Sequence, residues 1–252
     1  MDSKQMRYVI LILTMAALAL PFSAVTHAAQ AIGKVAGIRG KVLASGPQGR
    51  RVLHLAGDVF KGDRIRTGQS EVQIIFSDDT RLAVGPESVL NIDEYVFDSK
   101  TTARSLAIRA AKGAFRFITG HSKKSAYSIK TRNATIGIRG TSFDISAHGQ
   151  SRVLLYTGSI RVCQSASNCR NLVNRCEMAV VGGNRPVHRG TTAELTSRIL
   201  ARAFPYVLNE KRLPGSFRVS SANCGAGLGK GRRGGLGGGG GGEGAGGDGG
   251  NY

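Results

Sequence analysis

The stretch LAGDVFKGDRIRTGQSEVQIIFSDDTRLAV, residues 55–84, decides the fold. Its apolar residues come in short runs: Val72, Ile74 and Phe76 alternate, and so do Leu82 and Val84. Alternation of period two places one set of side chains on one face of a strand, and these runs are too short for helices. The punctuation has a mechanism. Gly57-Asp58 and Gly62-Asp63 bracket a short apolar-basic strand, and Asp78-Asp79 separates two longer ones. Glycine reaches positive φ, and aspartate bonds the backbone ahead of it, so each pair is expected to turn the chain.

The same rhythm extends outward from Ile32 to Val162. Val35 and Ile38, Val42 and Leu43, Val52 and Leu53, Leu90 and Ile92, Tyr95 and Phe97, Phe115 and Phe117, and Tyr127 and Ile129 mark further runs. Gly85-Pro86, Gly113, Gly140 and Gly158 interrupt them. The reading is an all-β domain. The one helical candidate inside it, Ala103 to Lys112, carries Leu106 and Ile108 at a spacing that suits a strand as well. Gly-led units recur at Gly33, Gly40, Gly113 and Gly158, which is compatible with a β-roll or β-solenoid, although the periods are irregular. Further on, Thr191 to Phe204 predicts one short helix, capped by Thr191 or Thr192, with Glu194 in its first turn and Pro205 ending it.

The termini read differently. Lys4 and Arg7 precede the apolar stretch Tyr8 to Leu20, and small residues follow up to Ala28 and Ala29, where a signal peptidase would cut. The expected layout is a signal peptide over 1–28, a β domain over 29–163, a cysteine-containing extension over 164–224 and a tail over 225–252. The alternative at the N-terminus is an uncleaved anchor. The expected location is the periplasm or outside the cell. In the tail, 17 of the 36 glycines lie between Gly225 and Gly250, a composition that predicts a disordered, flexible segment. Cys163, Cys169, Cys176 and Cys224 are even in number, and export makes two disulfides the expectation. Three pairings are open to four cysteines. Their spacing lacks the CxxC pairs of a metal site.

Taken together, these stretches resemble the FecR domain, named after the extracytoplasmic regulator of ferric citrate uptake. The matching pieces run from Gly33-Lys34-Val35 and Gly40-Lys41-Val42 through Leu55 to Thr67, Val72 to Leu82, Gly113 to Phe117 and Tyr127 to Thr131. They close with Ile138-Arg139-Gly140-Thr141-Ser142-Phe143 and Tyr156 to Val162. The resemblance covers roughly residues 32–163. Its motif residues are Gly57, Asp58, Gly62, Asp63, Thr67, Arg139, Gly140, Thr141 and Phe143. Read physically, Gly140 permits a tight turn and Phe143 anchors the core, with ligand contact by Arg139 as the functional alternative. Asp79 stands where the family commonly has Gly, and Asp tolerates the same left-handed backbone. The iron-uptake regulators of this family carry a cytoplasmic segment that handles a sigma factor, a membrane span and a receptor-docking αβ domain. Only a few residues precede the apolar stretch here, and residues 164–224 hold the cysteines instead. A sigma-regulating segment is therefore not expected.

Charge supplies the remaining signal. The 252 residues hold 35 Lys and Arg against 16 Asp and Glu, a formal +19. From Lys100 to Arg139 there are ten cations and no carboxylate. Arg109, Lys112, Arg116, Lys123, Lys124, Lys130, Arg132 and Arg139 are the candidate contacts to a polyanion or an acidic partner. Nucleic acid is disfavoured, because the cations lack interleaved aromatics. No run of apolar residues is long enough to span a bilayer. His54, His121, His148 and His188 are scattered, without HExxH spacing, and neither GxSxG nor a phosphate-cradling loop occurs. No catalytic residue, cofactor or metal is expected. Two functions stand: an adaptor that binds an envelope protein in sensing or signalling, or a module that attaches to anionic envelope polymer or lipid.

Overall fold

The computed structural model describes residues 29–183, 185–190, 197–221 and 224. The expected signal peptide through Ala28, the start of the predicted helix and the glycine-rich tail lie outside these residues.

Strands follow one another in short steps. The first nine are β1 (Ala31–Arg39), β2 (Val42–Gly46), β3 (Gly49–Leu53), β4 (Asp58–Phe60), β5 (Arg64–Arg66), β6 (Glu71–Phe76), β7 (Arg81–Val84), β8 (Val89–Phe97) and β9 (Ala103–Lys112). Next come β10 (Ala114–Ile118), β11 (Tyr127–Lys130), β12 (Thr135–Ile138), β13 (Ser142–His148), β14 (Gln150–Thr157) and β15 (Ile160–Cys163). The described strands end with β16 (Cys169–Leu172), β17 (Met178–Val181) and β18 (His188–Gly190). Sheet I has the order β18-β17-β14-β13-β10-β7-β6-β1-β4, and sheet II the order β16-β15-β12-β11-β9-β8-β5-β2-β3. Ala103–Lys112 is thus a ten-residue strand, because Leu106, Ile108 and Ala110 bury at every second position.

The fold is all-β, with a two-sheet face-to-face architecture. Every described pairing is antiparallel except β9 with β11. The parallel coil stacking of a solenoid is not the arrangement found. Of the recurring glycines, Gly40, Gly113 and Gly158 sit at crossings between the sheets and Gly33 lies inside β1, and the single parallel pair arises because β10 leaves for sheet I between β9 and β11. One core cluster unites both sheets, with Phe76 of sheet I stacked on Tyr95 of sheet II at 6.0 Å and Phe117 edge-on to Tyr127 at 5.9 Å.

The two outer faces diverge. Sheet I strands are buried on both sides: β17 and nearly all of β6 and β13 have no exposed residue. The cover comes from the C-terminal segment, namely helices α1 (Ser197–Ala203) and α2 (Pro205–Leu208) and the single 3-10 turns Glu210–Arg212 and Gly215–Phe217. Leu200, Ala203, Phe204 and Val207 bury against Leu154, Tyr156, Met178 and Val180. Tyr206, Leu213 and Phe217 bury against Ala83, Ala36 and Ile75. Where one helix ending at Phe204 was expected, Pro205 ends one helix and starts another, since its fixed φ suits a first helical position. Two disulfides join Cys163 to Cys169 and Cys176 to Cys224, and the second closes 48 residues and ties the cover to the loop before β17.

Candidate functional site

Among the described residues the outer face of sheet II carries no such cover, and cross-strand register organises its charges. Arg50 pairs with Ser45, Ser45 with Arg64, Arg64 with Asn91, Asn91 with Arg109, Arg109 with Lys130, and Lys130 with Thr135. Paired residues point to the same side of a sheet, so Arg50, Arg64, Arg109 and Lys130 form one row across the strands, and all four are exposed. At ~4.8 Å per strand, Arg109 and Lys130 stand ~5 Å apart in the backbone and Arg64 ~10 Å from Arg109. Asp93 holds Arg109 through two bonds of 2.7 and 3.0 Å and raises its pKa. The adjacent row is small: Ala107, Ser128 and Gly137, then the exposed Arg161.

The candidate cations do not form one surface. Arg109 and Lys130 lie in the row. Lys112 and Arg132 lie where the parallel strands β9 and β11 end, and both line a hollow of about 390 Å³ with His148 and Arg202. Lys123, Lys124 and Arg139 are exposed at the other end of the same strands, where Lys124 lies over Gly140.

Arg116 belongs to none of these and corrects the sequence reading. It sits fully buried on the covered side of sheet I, since Phe115 and Phe117 take the core side of β10. Its Nε and Nη2 donate to Asp144 at 2.7 and 2.9 Å, and its Nη1 donates to Glu210 at 2.7 Å. The rings of Tyr156 and Tyr206 flank the guanidinium at 4.9 and 5.6 Å. Burial alone would lower its pKa, but Asp144, Tyr156 and Glu210 hold it above the ordinary value. Burial and Asp144 raise the Tyr156 pKa, and the Tyr156 hydroxyl donates to Asp144 at 2.7 Å. Burial also pulls Glu210 upward, yet the N–H groups of Val219 and Ser221 and the charge of Arg116 bring it below 4.5. A polyanion cannot reach this arginine; it binds the C-terminal cover to the sheet. The sequence reading singles out neither Asp144 nor Glu210 and takes Tyr156 only as the start of a family stretch, although the unbroken apolar run Val153-Leu154-Leu155-Tyr156 signals a strand buried on both faces.

The motif residues hold the frame. Asp63 is buried, accepts the Phe60 N–H at 2.8 Å and pairs with Arg51 at 2.9 Å, so it bonds backbone behind it rather than ahead. Asp58 reaches Lys34 at 2.7 Å. Gly62 has φ +83°, whereas at the other pair the left-handed residue is Ala56, not Gly57. Thr67 donates to the Gly85 carbonyl at 2.8 Å and accepts the Ser88 N–H at 3.0 Å. Asp79 takes φ +64°, as the hairpin requires. Gly140 has φ +72°, and a Cβ on Gly158 would lie 1.9 Å from the Gly140 carbonyl oxygen, so two turns touch backbone to backbone. Thr141 bonds the Thr157 carbonyl, and Phe143 is fully buried.

The model of the family described as FecR protein matches residues 63–161, from Asp63 to Arg161. Residues 63–161 match the FecR family. The matched stretch includes Arg64, Arg109, Lys130, Arg116 and Asp144, but neither Glu210 nor the rest of the cover. Two solved structures of a protein from Parabacteroides distasonis assigned as an anti-sigma factor align with TM-scores of 0.41 and 0.40 at 18% identity. Each alignment covers 50% of this chain, which spans 58% of the length of those structures. A structure described as a cell surface anchoring domain aligns with a TM-score of 0.23 at 34% identity, over 24% of this chain and 82% of that one. No curated protein matches the chain. Among the described residues, no helix is long and apolar enough to cross a membrane, and no group of three or more His, Cys, Asp or Glu residues is placed to hold a metal.

Proposed function

We propose that this chain is a non-catalytic, exported FecR-domain protein that binds another component of the cell envelope as a sensing or signalling adaptor, and that the outer face of sheet II is its contact surface. The observation that carries the reading is the FecR match over residues 63–161. It supports the reading because the family resembled is named after an extracytoplasmic regulator. Two features support the choice of face. The opposite face is occupied by the chain's own C-terminal segment, and the strip of small residues Ala107, Ser128 and Gly137 lets a partner approach the backbone closely. The disulfides fit an oxidising compartment.

A second reading, attachment to anionic polymer or lipid, is favoured by one observation: the register that lines up Arg50, Arg64, Arg109 and Lys130. The test is capture from native envelope extract at about 0.05 M and about 0.5 M salt, where screening lengths differ several-fold. The comparison chain carries Arg64→Glu, Arg109→Glu and Lys130→Glu. A discrete protein retained at high salt supports the adaptor. Anionic polymer or lipid, lost with salt and with the reversal, supports attachment. Equal capture by the reversed chain under both conditions would remove this face from the function.

A further inference from the structure

The hollow at the end of β9 and β11 has features the open sheet face lacks. Lys112 closes β9, Arg132 sits in the turn between β11 and β12, His148 ends β13, and Arg202 reaches in from α1. No carboxylate lines it. Among the described residues neither Lys112 nor Arg132 forms an ion pair. Arg202 has one carboxylate neighbour, Glu87 at 3.2 Å. His148 and Arg202 are shared with an adjoining hollow of about 520 Å³, whose rim adds Arg198, Arg212 and the carboxylate of Glu87.

The Arg132 turn is built rather than loose. Thr131 Oγ1 accepts the N–H groups of Asn133 at 3.2 Å and Ala134 at 2.9 Å and lies 2.7 Å from the Ser151 hydroxyl. Asn133 Nδ2 donates to the Gly149 carbonyl at 2.6 Å, which ties this turn to the tip of the β13–β14 hairpin. The buried Nε2 of His148 has no hydrogen-bond partner among the described residues, and its Nδ1 lies 3.4 Å from the Ser146 hydroxyl. An unpartnered buried nitrogen of this kind is uncommon. Burial lowers the His148 pKa below 6.5, and the positive field of Arg202, Lys112 and Arg152 lowers it further, with only Glu87 opposing.

We propose that this hollow is an anion-binding site for a phosphate monoester group, held by Lys112, Arg132, Arg202 and His148. Three cations and an imidazole from four different elements suit a tetrahedral dianion, which accepts bonds from several directions, better than a planar carboxylate. The site is separate from the open face of sheet II, so its fate does not depend on the proposed adaptor contact.

The test is titration of the chain with inorganic phosphate at neutral pH and about 0.15 M salt, read from the amide resonances of Gly149 and Ser151. Saturable shifts are expected. Arg132→Ala and Lys112→Ala should each weaken binding about tenfold, the scale of one charged hydrogen bond. The sheet II triple reversal should weaken it by less than about threefold. Lys112 and Arg132 are exposed, and an unchanged melting temperature checks that their variants fold. A parallel arm uses vesicles containing phosphatidic acid. Sedimentation with them that Arg132→Ala abolishes supports the site and makes the source a lipid headgroup. Phosphate binding without sedimentation supports it for a soluble phosphoester. Shifts that never saturate, or an equal loss in the sheet II reversal, overturn it.

Discussion

The outer faces of the two sheets start from similar strands and end in opposite states. On sheet II, Arg64, Arg109 and Lys130 stand in water, opposite core residues such as Ile65, Ile108 and Ile129. On sheet I the corresponding cation, Arg116, is sealed under Tyr206 and Glu210. What differs is residues 197–221 with Cys224, which supply the apolar cover and one carboxylate. An arginine's position in a strand therefore says which face it occupies, and only the cover decides whether it stands in water or fastens the chain to itself.

The most severe way to break this contrast is to remove the fastener. Arg116→Met leaves Asp144 and Glu210 without their cation, and loss of one partner of a buried ion pair costs about 3–5 kcal/mol. Arg109→Ala on the open face should cost within about 0.5 kcal/mol, because exposed pairs contribute little. Urea unfolding of both variants measures the difference, and similar losses would mean that the two faces are not distinct. Next in size are the disulfides. By loop entropy, opening Cys176–Cys224 should cost about 4 kcal/mol and opening Cys163–Cys169 about 2 kcal/mol. Melting of the two Cys→Ser double variants checks the order.

Acid sharpens the comparison more gently. The Glu210 pKa is lower in the folded chain than its ordinary 4.5. Its contribution is therefore complete above pH 4.5 and fades as pH falls through the lowered value. Amide exchange of residues 197–221 should accelerate in that window while β11 and β12 stay protected. Glu210→Gln should cancel the pH dependence. The smallest expected effect is on the open face itself: the Arg64, Arg109 and Lys130 reversal should shift stability by no more than about 1 kcal/mol while changing what the chain binds.

The strand content was legible because alternation survives in a single sequence: β8, β9 and β12 each bury every second residue over most of their length. Asp79 was legible as a turn because few residues tolerate φ +64°. The order of strands was not, since glycine spacing records corners and not neighbours. The cystine pairing was hidden for the same reason. The basic segment was legible as a charge run, yet register scattered it among an open row, two strand ends and a buried network. His148 and Arg202, remote in sequence from Lys112 and Arg132, meet them only through topology.

The cover also sets an order of assembly. Leu154, Met178 and Val180 are laid down as strand residues well before Leu200, Phe204 and Val207 exist to shield them. A chain that emerges from its N-terminus onward therefore spends time as a finished sandwich with one greasy side bare. That side closes only when Glu210 reaches Arg116 and Cys224 reaches Cys176. Truncation anywhere in this last stretch would release a protein that has its strands and still sticks to its neighbours.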